Sequence, residues 1–311
     1  MERLAKYPGR TGGPFRNVIV GVDEHHGGRD ATALAKDLMA TGGSLILAHV
    51  YIRHSLSRRG SRPDFEAVER RRALERHPAA EYDVSGDAEL RCVESPSVGR
   101  GLHELAGAER ADLLVVGSLR RGLIGRVTLR DATSDALNGA PCAVAIAPFG
   151  YAERPAVLGE IGVAYDGSPE SENALAVARA LAAEHGARLS AFEAVSVPAF
   201  LNLPGAGAVV EPLPALVEQA RARIAALGGV EPHAAYGVPA EELAMYGASL
   251  DLLVVGSRGY GPVGRLVHGS TSRQLARTAR CPLLVLTRAA RVIQEPDLNQ
   301  AGRATSIAAA D

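Results

Sequence analysis

The same seven residues, Asp-Leu-Leu-Val-Val-Gly-Ser, occur twice in this chain, first from Asp112 and again from Asp251. Chance does not place an identical segment of this length at matching positions in the two halves of a sequence. Each copy is an unbroken apolar run that stops at a glycine, which is typical of a strand buried on both faces of a parallel sheet. The repeat therefore predicts a tandem duplication of a βα unit.

Both halves alternate apolar runs with helical patterns in the same order. One such pattern covers residues 30–40, and Gly42 and Gly43 are expected to end that helix. Strands that alternate with helices predict an α/β fold with doubly wound parallel sheets, which bind ligands at the carboxyl ends of their strands. The predicted strands are 17–23, 45–51, 89–93, 113–116 and 142–147 in the first half, and 160–166, 189–195, 230–236, 252–255 and 283–287 in the second.

The periodicity also divides the chain, and 311 residues leave room for about two domains. Both ends of the sequence lack a periodic pattern, which predicts a loose arm and a disordered tail. The predicted divisions are an N-terminal arm at 1–16, a first domain at 17–148, a linker at 149–159, a second domain at 160–289 and the tail at 290–311.

Composition narrows the classes of function. A net charge of −1 gives no overall electrostatic attraction to nucleic acid or to an anionic membrane. No apolar run approaches the roughly 20 residues of a membrane span. The three cysteines are an odd number without metal-ligand spacing, which suits a reducing compartment. We therefore expect a cytoplasmic protein with neither nucleic acid nor membrane among its partners.

The second copy of the repeat continues into a glycine-rich loop. Gly256 is followed by Gly259, and Gly269-Ser270-Thr271 then opens a helical pattern at 272–278. Glycines let backbone amides approach a bulky anion, and a helix N-terminus favours negative charge. No Gly-Lys-Ser/Thr follows, which excludes a Walker loop, and the loop follows a late strand, unlike the dinucleotide fingerprint. The alternative is a glycine-rich turn that only joins a strand to a helix.

The spacing Gly256-x2-Gly259-x9-Gly269-Ser270 resembles the ATP-binding signature of the universal stress protein family, over a similarity that covers about residues 17–288. The resemblance implies two five-stranded sheets of order 3-2-1-4-5, similar to adenine nucleotide alpha hydrolases, packed as a pseudo-dimer within one chain. It also implies ATP as the ligand, with Mg²⁺. The ATP-binding residues expected from it are Ala164, Asp166, Val195, Gly256, Arg258, Gly259, Gly264, Arg265, Val267, His268, Gly269, Ser270, Thr271 and Ser272.

Two parts of this expected site lie outside the glycine loop. The resemblance assigns Asp166 to the adenosine moiety, with the backbone of Ala164 and Tyr165 lining the base pocket. The alternative for Asp166 is a helix N-cap or a turn aspartate. Val195, or Ala194 beside it, would form an apolar wall for adenine, and the alternative is an ordinary core residue.

Charged side chains near the loop allow two interpretations as well. Arg258 and Arg265 could neutralise phosphate charge, although exposed arginines are common in loops. His268 precedes the helix, and we expect its backbone to lie near the nucleotide rather than its ring to act as an acid or base. Ser270 and Thr271 can cap the helix or donate hydrogen bonds to phosphate oxygens.

The first half departs from the signature. Gly117 keeps the first glycine, but Arg120, Arg130 and Asp131 replace the second glycine, the third glycine and the serine. Side chains then occupy places where backbone would meet phosphate, and Asp131 carries the wrong charge. We expect this half to bind ATP weakly or not at all. Two alternatives are that the arginines of 120–130 hold a different anion, or that the charged loop is solvated and self-paired.

No catalytic residue is predicted, because the chain has no Gly-x-Ser-x-Gly elbow, no His-Glu-x-x-His and no candidate base for a γ-phosphate. Slow ATP hydrolysis is the most we expect. The sequence therefore predicts a nucleotide-dependent regulator in the stress response, whose loop is ordered by ATP and presents a surface to an unknown protein partner. The rivals are a nucleotide-free scaffold and a slow ATPase. Either the two domains pair within the chain, or two chains pair through their fifth strands as a homodimer.

Overall fold

A computed structural model describes residues 13–22, 27–51, 88–118, 132–153, 157–196, 212–257 and 270–286. None of the helices in these ranges is long and apolar enough to cross a membrane. The first half contains β1 (Phe15–Gly21), α1 (Gly27–Leu38), β2 (Met39–Tyr51), β3 (Glu89–Glu94), α2 (Val98–Ala108), β4 (Leu113–Gly117), α3 (Ala132–Leu137) and β5 (Ala143–Ala147).

The second half repeats this order after a 3-10 turn at Tyr151–Glu153. Its elements are β6 (Glu160–Ala164), α4 (Pro169–His185), β7 (Arg188–Val195), α5 (Leu213–Ala225), β8 (Glu231–Tyr236), α6 (Pro239–Tyr246), a second 3-10 turn (Gly247–Ser249), β9 (Leu252–Gly256), α7 (Ser270–Thr278) and β10 (Leu283–Leu286).

The ten strands of the described ranges form one sheet in the order β3-β2-β1-β4-β5-β10-β9-β6-β7-β8. Each half therefore has the order 3-2-1-4-5, which confirms the fold expected from the resemblance. Neighbouring strands are parallel except at the centre, where β5 and β10 run antiparallel with Val144 opposite Val285. The two predicted sheets are thus joined by their fifth strands into one continuous sheet. Of the two arrangements that the sequence left open, the structure has pairing within the chain.

Apolar layers cover both faces of the sheet and run through both halves. On β9, Leu252 and Val254 face the layer that contains residues of α1 and α4. Leu253 and Val255 face the opposite layer, which contains residues of α2, α3, α6 and α7. Because both faces are covered, the strand is apolar at every position, as the repeat predicts.

The aspartate that opens each copy of the repeat ties two neighbouring strands together. Asp112 Oδ2 accepts hydrogen bonds from the amides of Arg16 and Asn17 at 3.0 Å. Asp251 Oδ2 accepts the equivalent bonds from the amides of Gly159 and Glu160 at 2.9 Å. The carboxylate satisfies amides at the start of β1 or β6, so the identity of this residue in the two halves has a structural cause.

The start of the fold differs from the predicted boundaries in two places. β1 begins at Phe15, so the predicted arm 1–16 extends too far into the strand. α1 ends at Leu38, and Gly42 and Gly43 lie inside β2 rather than stopping the helix. They form a bulge, because the register between β1 and β2 shifts by several residues there. Gly42 has a φ of +76°, which favours glycine.

The segment after β5 is bound to the first domain. Asp30 in α1 is only 3% exposed, and its carboxylate accepts hydrogen bonds from the amides of Gly150 and Ala152, both at 2.8 Å. The buried hydroxyl of Tyr151 donates to Asp37 Oδ2 at 2.8 Å. Part of the predicted linker 149–159 is therefore fixed to α1. The predicted tail 290–311 lies outside the described residues.

Candidate functional site

The candidate site lies at the carboxyl ends of β6, β7 and β9. β6 is central among them, with Val163 opposite Val254 of β9 and Ala164 opposite Phe192 of β7. The connections after β6 and β9 lead to helices on opposite faces of the sheet, since α4 packs in one apolar layer and α7 in the other. This is a topological switch point, where doubly wound sheets form a crevice.

Asp166 follows the end of β6 and closes a tight turn. Its Oδ1 accepts hydrogen bonds from the amide of Ser168 at 3.1 Å and from the Ser168 hydroxyl at 2.5 Å. Gly167 between them has a φ of +74°. Ser168, rather than Asp166, is the N-cap of α4, because its Oγ accepts from the amide of Ser171 at 3.3 Å. The carboxylate of Asp166 therefore closes the turn and does not cap the helix, and its contact with adenosine stays a prediction.

A second residue at the end of β6 is also held by α4. Tyr165 is 4% exposed, and its hydroxyl donates to Glu172 Oε1 at 2.5 Å. Burial and the neighbouring Glu172 carboxylate raise the pKa of Tyr165 to about 12. Nearby, Arg223 of α5 forms an ion pair with Glu193 of β7 at 2.6 Å. The bond between Tyr165 and Glu172 therefore ties the end of β6 to α4 just before Asp166.

Gly256, the first glycine of the signature, has a packing function. A Cβ at this position would lie 2.6 Å from the carbonyl carbon of Glu170 in the first turn of α4. A Cβ at Gly117 would lie 2.5 Å from the carbonyl carbon of Gly27 in α1. Both halves need this glycine so that a helix can approach the end of a strand. The presence of Gly117 is therefore no argument for a nucleotide in the first half.

The two residues predicted as alternatives for the apolar wall of adenine lie on opposite faces of the sheet, and the wall itself stays a prediction. Ala164 and Ala194 are half-buried and pack on the face that contains α6 and α7. Val195 is the next residue of β7, so its side chain points to the opposite face. Ala194, the alternative to Val195, therefore shares a face with Ala164 and with the helix that follows the glycine loop.

The glycine loop itself is only partly described. α7 begins at Ser270, Thr271 is half-buried, and Ser272 is 9% exposed. The remaining predicted residues lie outside the described ranges: Arg258, Gly259, Gly264, Arg265, Val267, His268 and Gly269. The structure therefore brings the strand end at Gly256 to the same edge as Asp166, and it leaves the geometry of the phosphate loop as a prediction.

Ser168, Ser171 and Glu172 were not among the residues predicted from the sequence. A usable signal was present, because Pro169 directly follows Ser168 and two glutamates lie within the next three residues, which is the pattern of a helix N-terminus. In the first half, residues 23–26 and 119–131 lie outside the described ranges. The comparable loop there, with Asp23, Arg120, Arg130 and Asp131, stays a prediction.

Three other features of the described residues bear on possible sites: two cysteines, the potential metal ligands and a cleft. The thiols of Cys142 and Cys281 are buried, and burial raises the pKa of each to about 12, so both stay protonated near neutral pH. Among the described residues, no group of three or more His, Cys, Asp or Glu side chains could hold a metal ion. A cleft of about 560 Å³ lies at the amino ends of β7 and β8, beside Arg179 and Arg188, at the edge of the sheet opposite to Asp166.

Comparison with known proteins identifies the family. The universal stress protein family model matches residues 14–148 and again residues 159–287. The chain belongs to the universal stress protein family. The two matches also confirm the tandem arrangement that the repeated heptapeptide predicts.

Individual relatives agree with this assignment. A universal stress protein of Thermus aquaticus is 40% identical over 130 residues, which are 40% of this chain and 95% of that protein. A universal stress protein of Mycobacterium tuberculosis is 32% identical over 189 residues, which are 57% of this chain and 62% of that protein. The crystal structure of a universal stress protein from Archaeoglobus fulgidus superimposes with a TM-score of 0.62 at 18% identity, covering 88% of this chain and 98% of that one. This last likeness concerns the fold alone.

Proposed function

We propose that the second domain of this universal stress protein, residues 160–289, binds ATP with Mg²⁺, and that the protein is a nucleotide-dependent regulator in the stress response. One observation carries the proposal. The signature Gly256-x2-Gly259-x9-Gly269-Ser270 is complete in this half, and its two ends are the strand end and the helix start at the edge where Asp166 lies.

In the proposed site, each part of ATP meets a different element. Asp166 takes the adenosine moiety, and Ala164 with Ala194 forms the apolar wall on the α6 and α7 side. Backbone amides of the glycine loop and the N-terminus of α7 hold the phosphates. The hydroxyls of Ser270 and Thr271 add donors, and the loop arginines Arg258 and Arg265 offset the phosphate charge.

The first domain, residues 17–148, is proposed as a degenerate partner that binds ATP weakly or not at all. Bound ATP would order the loop of the second domain and so stabilise a surface that another protein recognises. This function does not require ATP turnover. Slow hydrolysis is the most that the proposed site supports, because the sequence offers no candidate base for a γ-phosphate.

Equilibrium binding of ATP tests the proposal, with Gly269→Asp as the variant. A carboxylate at this helix N-terminus should weaken ATP binding by about tenfold or more, because it occupies the phosphate position and repels the anion. Arg130→Asp changes the matching position of the first half and should leave ATP affinity within about twofold of the wild type.

Three results would count against the proposal in different ways. If the wild type binds no ATP, the protein is better described as a nucleotide-free scaffold. If Gly269→Asp binds ATP as well as the wild type, the nucleotide lies elsewhere. Product analysis over hours tests the slow ATPase, which requires turnover that the Gly269→Asp substitution abolishes. Mass spectrometry of nucleotide released from the denatured, purified protein would identify the natural ligand directly.

A further inference from the structure

The turn after β6 contains a hydrogen-bonded pair of serines that the glycine signature does not include. Ser168 Oγ donates to Asp166 Oδ1 and accepts from the amide of Ser171. Ser171 is 4% exposed; its Oγ donates to the Ser168 carbonyl at 2.8 Å and accepts from the Asp166 amide at 3.4 Å. The two hydroxyls therefore connect the side chain and the backbone of Asp166 to the first turn of α4.

Ser168 fixes one carboxylate oxygen of Asp166. Oδ1 receives two donors from Ser168, its amide and its hydroxyl, so rotation of the carboxylate would break both bonds. Asp166 itself is exposed, and an exposed aspartate without such bonds would sample several rotamers. Holding a recognition group in one geometry before the ligand arrives lowers the entropic cost of binding.

The same serines are missing from the half that has lost the signature. Gly27 and Glu170 are equivalent, because each makes the close approach to the glycine that ends β4 or β9. Counting from them, Ser171 corresponds to Gly28 and Ser168 corresponds to His25. The serine pair and the complete glycine signature therefore occur together in one half of the chain.

We infer that Ser168 is a positioning residue for nucleotide binding, which acts by orienting the Asp166 carboxylate toward the adenosine moiety. Ser171 supports it by holding the backbone of the turn. This inference rests on the proposed function, because it assumes that Asp166 contacts the nucleotide. It assigns a binding role to a hydroxyl that would otherwise be only a helix cap.

The test compares ATP with inorganic tripolyphosphate, both with Mg²⁺, because tripolyphosphate has no adenosine. Ser168→Ala should weaken ATP binding by about tenfold and leave tripolyphosphate binding within about twofold. Ser168→Thr keeps a hydroxyl and should restore most of the ATP affinity. In an Asp166→Ala background, Ser168→Ala should have no further effect on ATP, because the group that it orients is gone.

Ser97→Ala is the matched control for the loss of a helix cap. Ser97 is the N-cap of α2 in the first domain and accepts from the amide of Arg100 at 3.3 Å, the same distance as in the second domain. This variant loses an equal capping bond and should bind both ligands as the wild type does. Thermal unfolding of the two Ala variants shows whether their stability losses are comparable.

The possible failures can be told apart. If the wild type binds no ATP, the proposed function fails and the role of Ser168 fails with it. If the wild type binds ATP and Ser168→Ala binds it equally well, only the role of Ser168 is overturned. An equal loss for ATP and tripolyphosphate, or an undiminished loss in the Asp166→Ala background, would show that Ser168 acts as a cap alone.

Discussion

The first turns of α1 and α4 occupy equivalent places in the two halves, yet they bind different parts of the chain. In α4, Glu172 holds Tyr165 and the serines hold Asp166, so the helix fixes the end of its own strand. The matching positions are Arg29 in α1 and Val22 just after β1, which cannot form the Tyr165–Glu172 bond. α1 instead uses Asp30 in its first turn, together with Asp37 near its end, to hold the segment that leads to the second domain.

This difference separates the contacts that both halves need for folding from those that belong to one half. The parts that are identical in both halves, such as the repeat aspartates and Gly117 with Gly256, serve strand pairing and helix packing. The contacts of the first helical turn differ. In α1 they hold the segment after β5, and in α4 they hold the end of β6.

The largest expected effect concerns Gly117 and Gly256, whose packing function the two halves share. Gly117→Ala and Gly256→Ala should each destabilise the protein by about 3 kcal/mol, because the new Cβ would overlap the first turn of the facing helix. Urea unfolding measures both losses. Gly107→Ala is the control, since nothing lies within 4 Å of a Cβ there and alanine favours the helix, so it should be neutral or stabilising. If only one of the two variants is destabilised, the packing function is not common to both halves.

A smaller effect is expected at the contact between Asp30 of α1 and the segment after β5, which we call the linker contact. Asp30→Ala removes a buried carboxylate that accepts two amide hydrogen bonds and should cost about 2 kcal/mol. Asn173 is the matching residue of α4, and its buried Oδ1 has no hydrogen-bond partner among the described residues. Asn173→Ala should therefore change the free energy of unfolding by less than about 0.5 kcal/mol. Comparable losses in the two variants, measured by urea unfolding, would mean that the linker contact does not distinguish α1 from α4.

Much of this fold could be read from the sequence, and the exceptions have physical causes. The run Leu252–Val255 reads as a buried strand because both faces are covered, and the strand order came from the family resemblance. The run Leu283–Leu286 looks the same whether its neighbour is parallel or antiparallel, so the central pairing with β5 was left open. Gly42 and Gly43 could end a helix or form a bulge, and only the pairing of β1 with β2 decides between these.

The candidate site was predictable to a different degree. Asp166 and Gly256 were found because a strand end and a glycine are visible in sequence. The packing function of Gly256 was not, since it depends on how closely α4 approaches β9 in space. The sequence could not decide between Val195 and Ala194, because a shift of one residue moves a side chain to the other face of a sheet.

The smallest expected effect concerns Tyr165, the anchor that Val22 replaces in the first half. The pKa of Tyr165 is raised from 10.0 to about 12, so the folded protein keeps the phenol proton after the unfolded chain has lost it. The stability that this group contributes is therefore fully present below about pH 10 and is lost as pH rises toward about 12.

Near neutral pH, Tyr165→Phe should cost about 1 kcal/mol through the lost bond to Glu172. Between about pH 10 and pH 12 the variant should lose less stability than the wild type, so their free energies of unfolding should converge. Urea unfolding at several pH values measures this convergence. A constant difference across the range would contradict the role of the Tyr165 phenol in anchoring the end of β6.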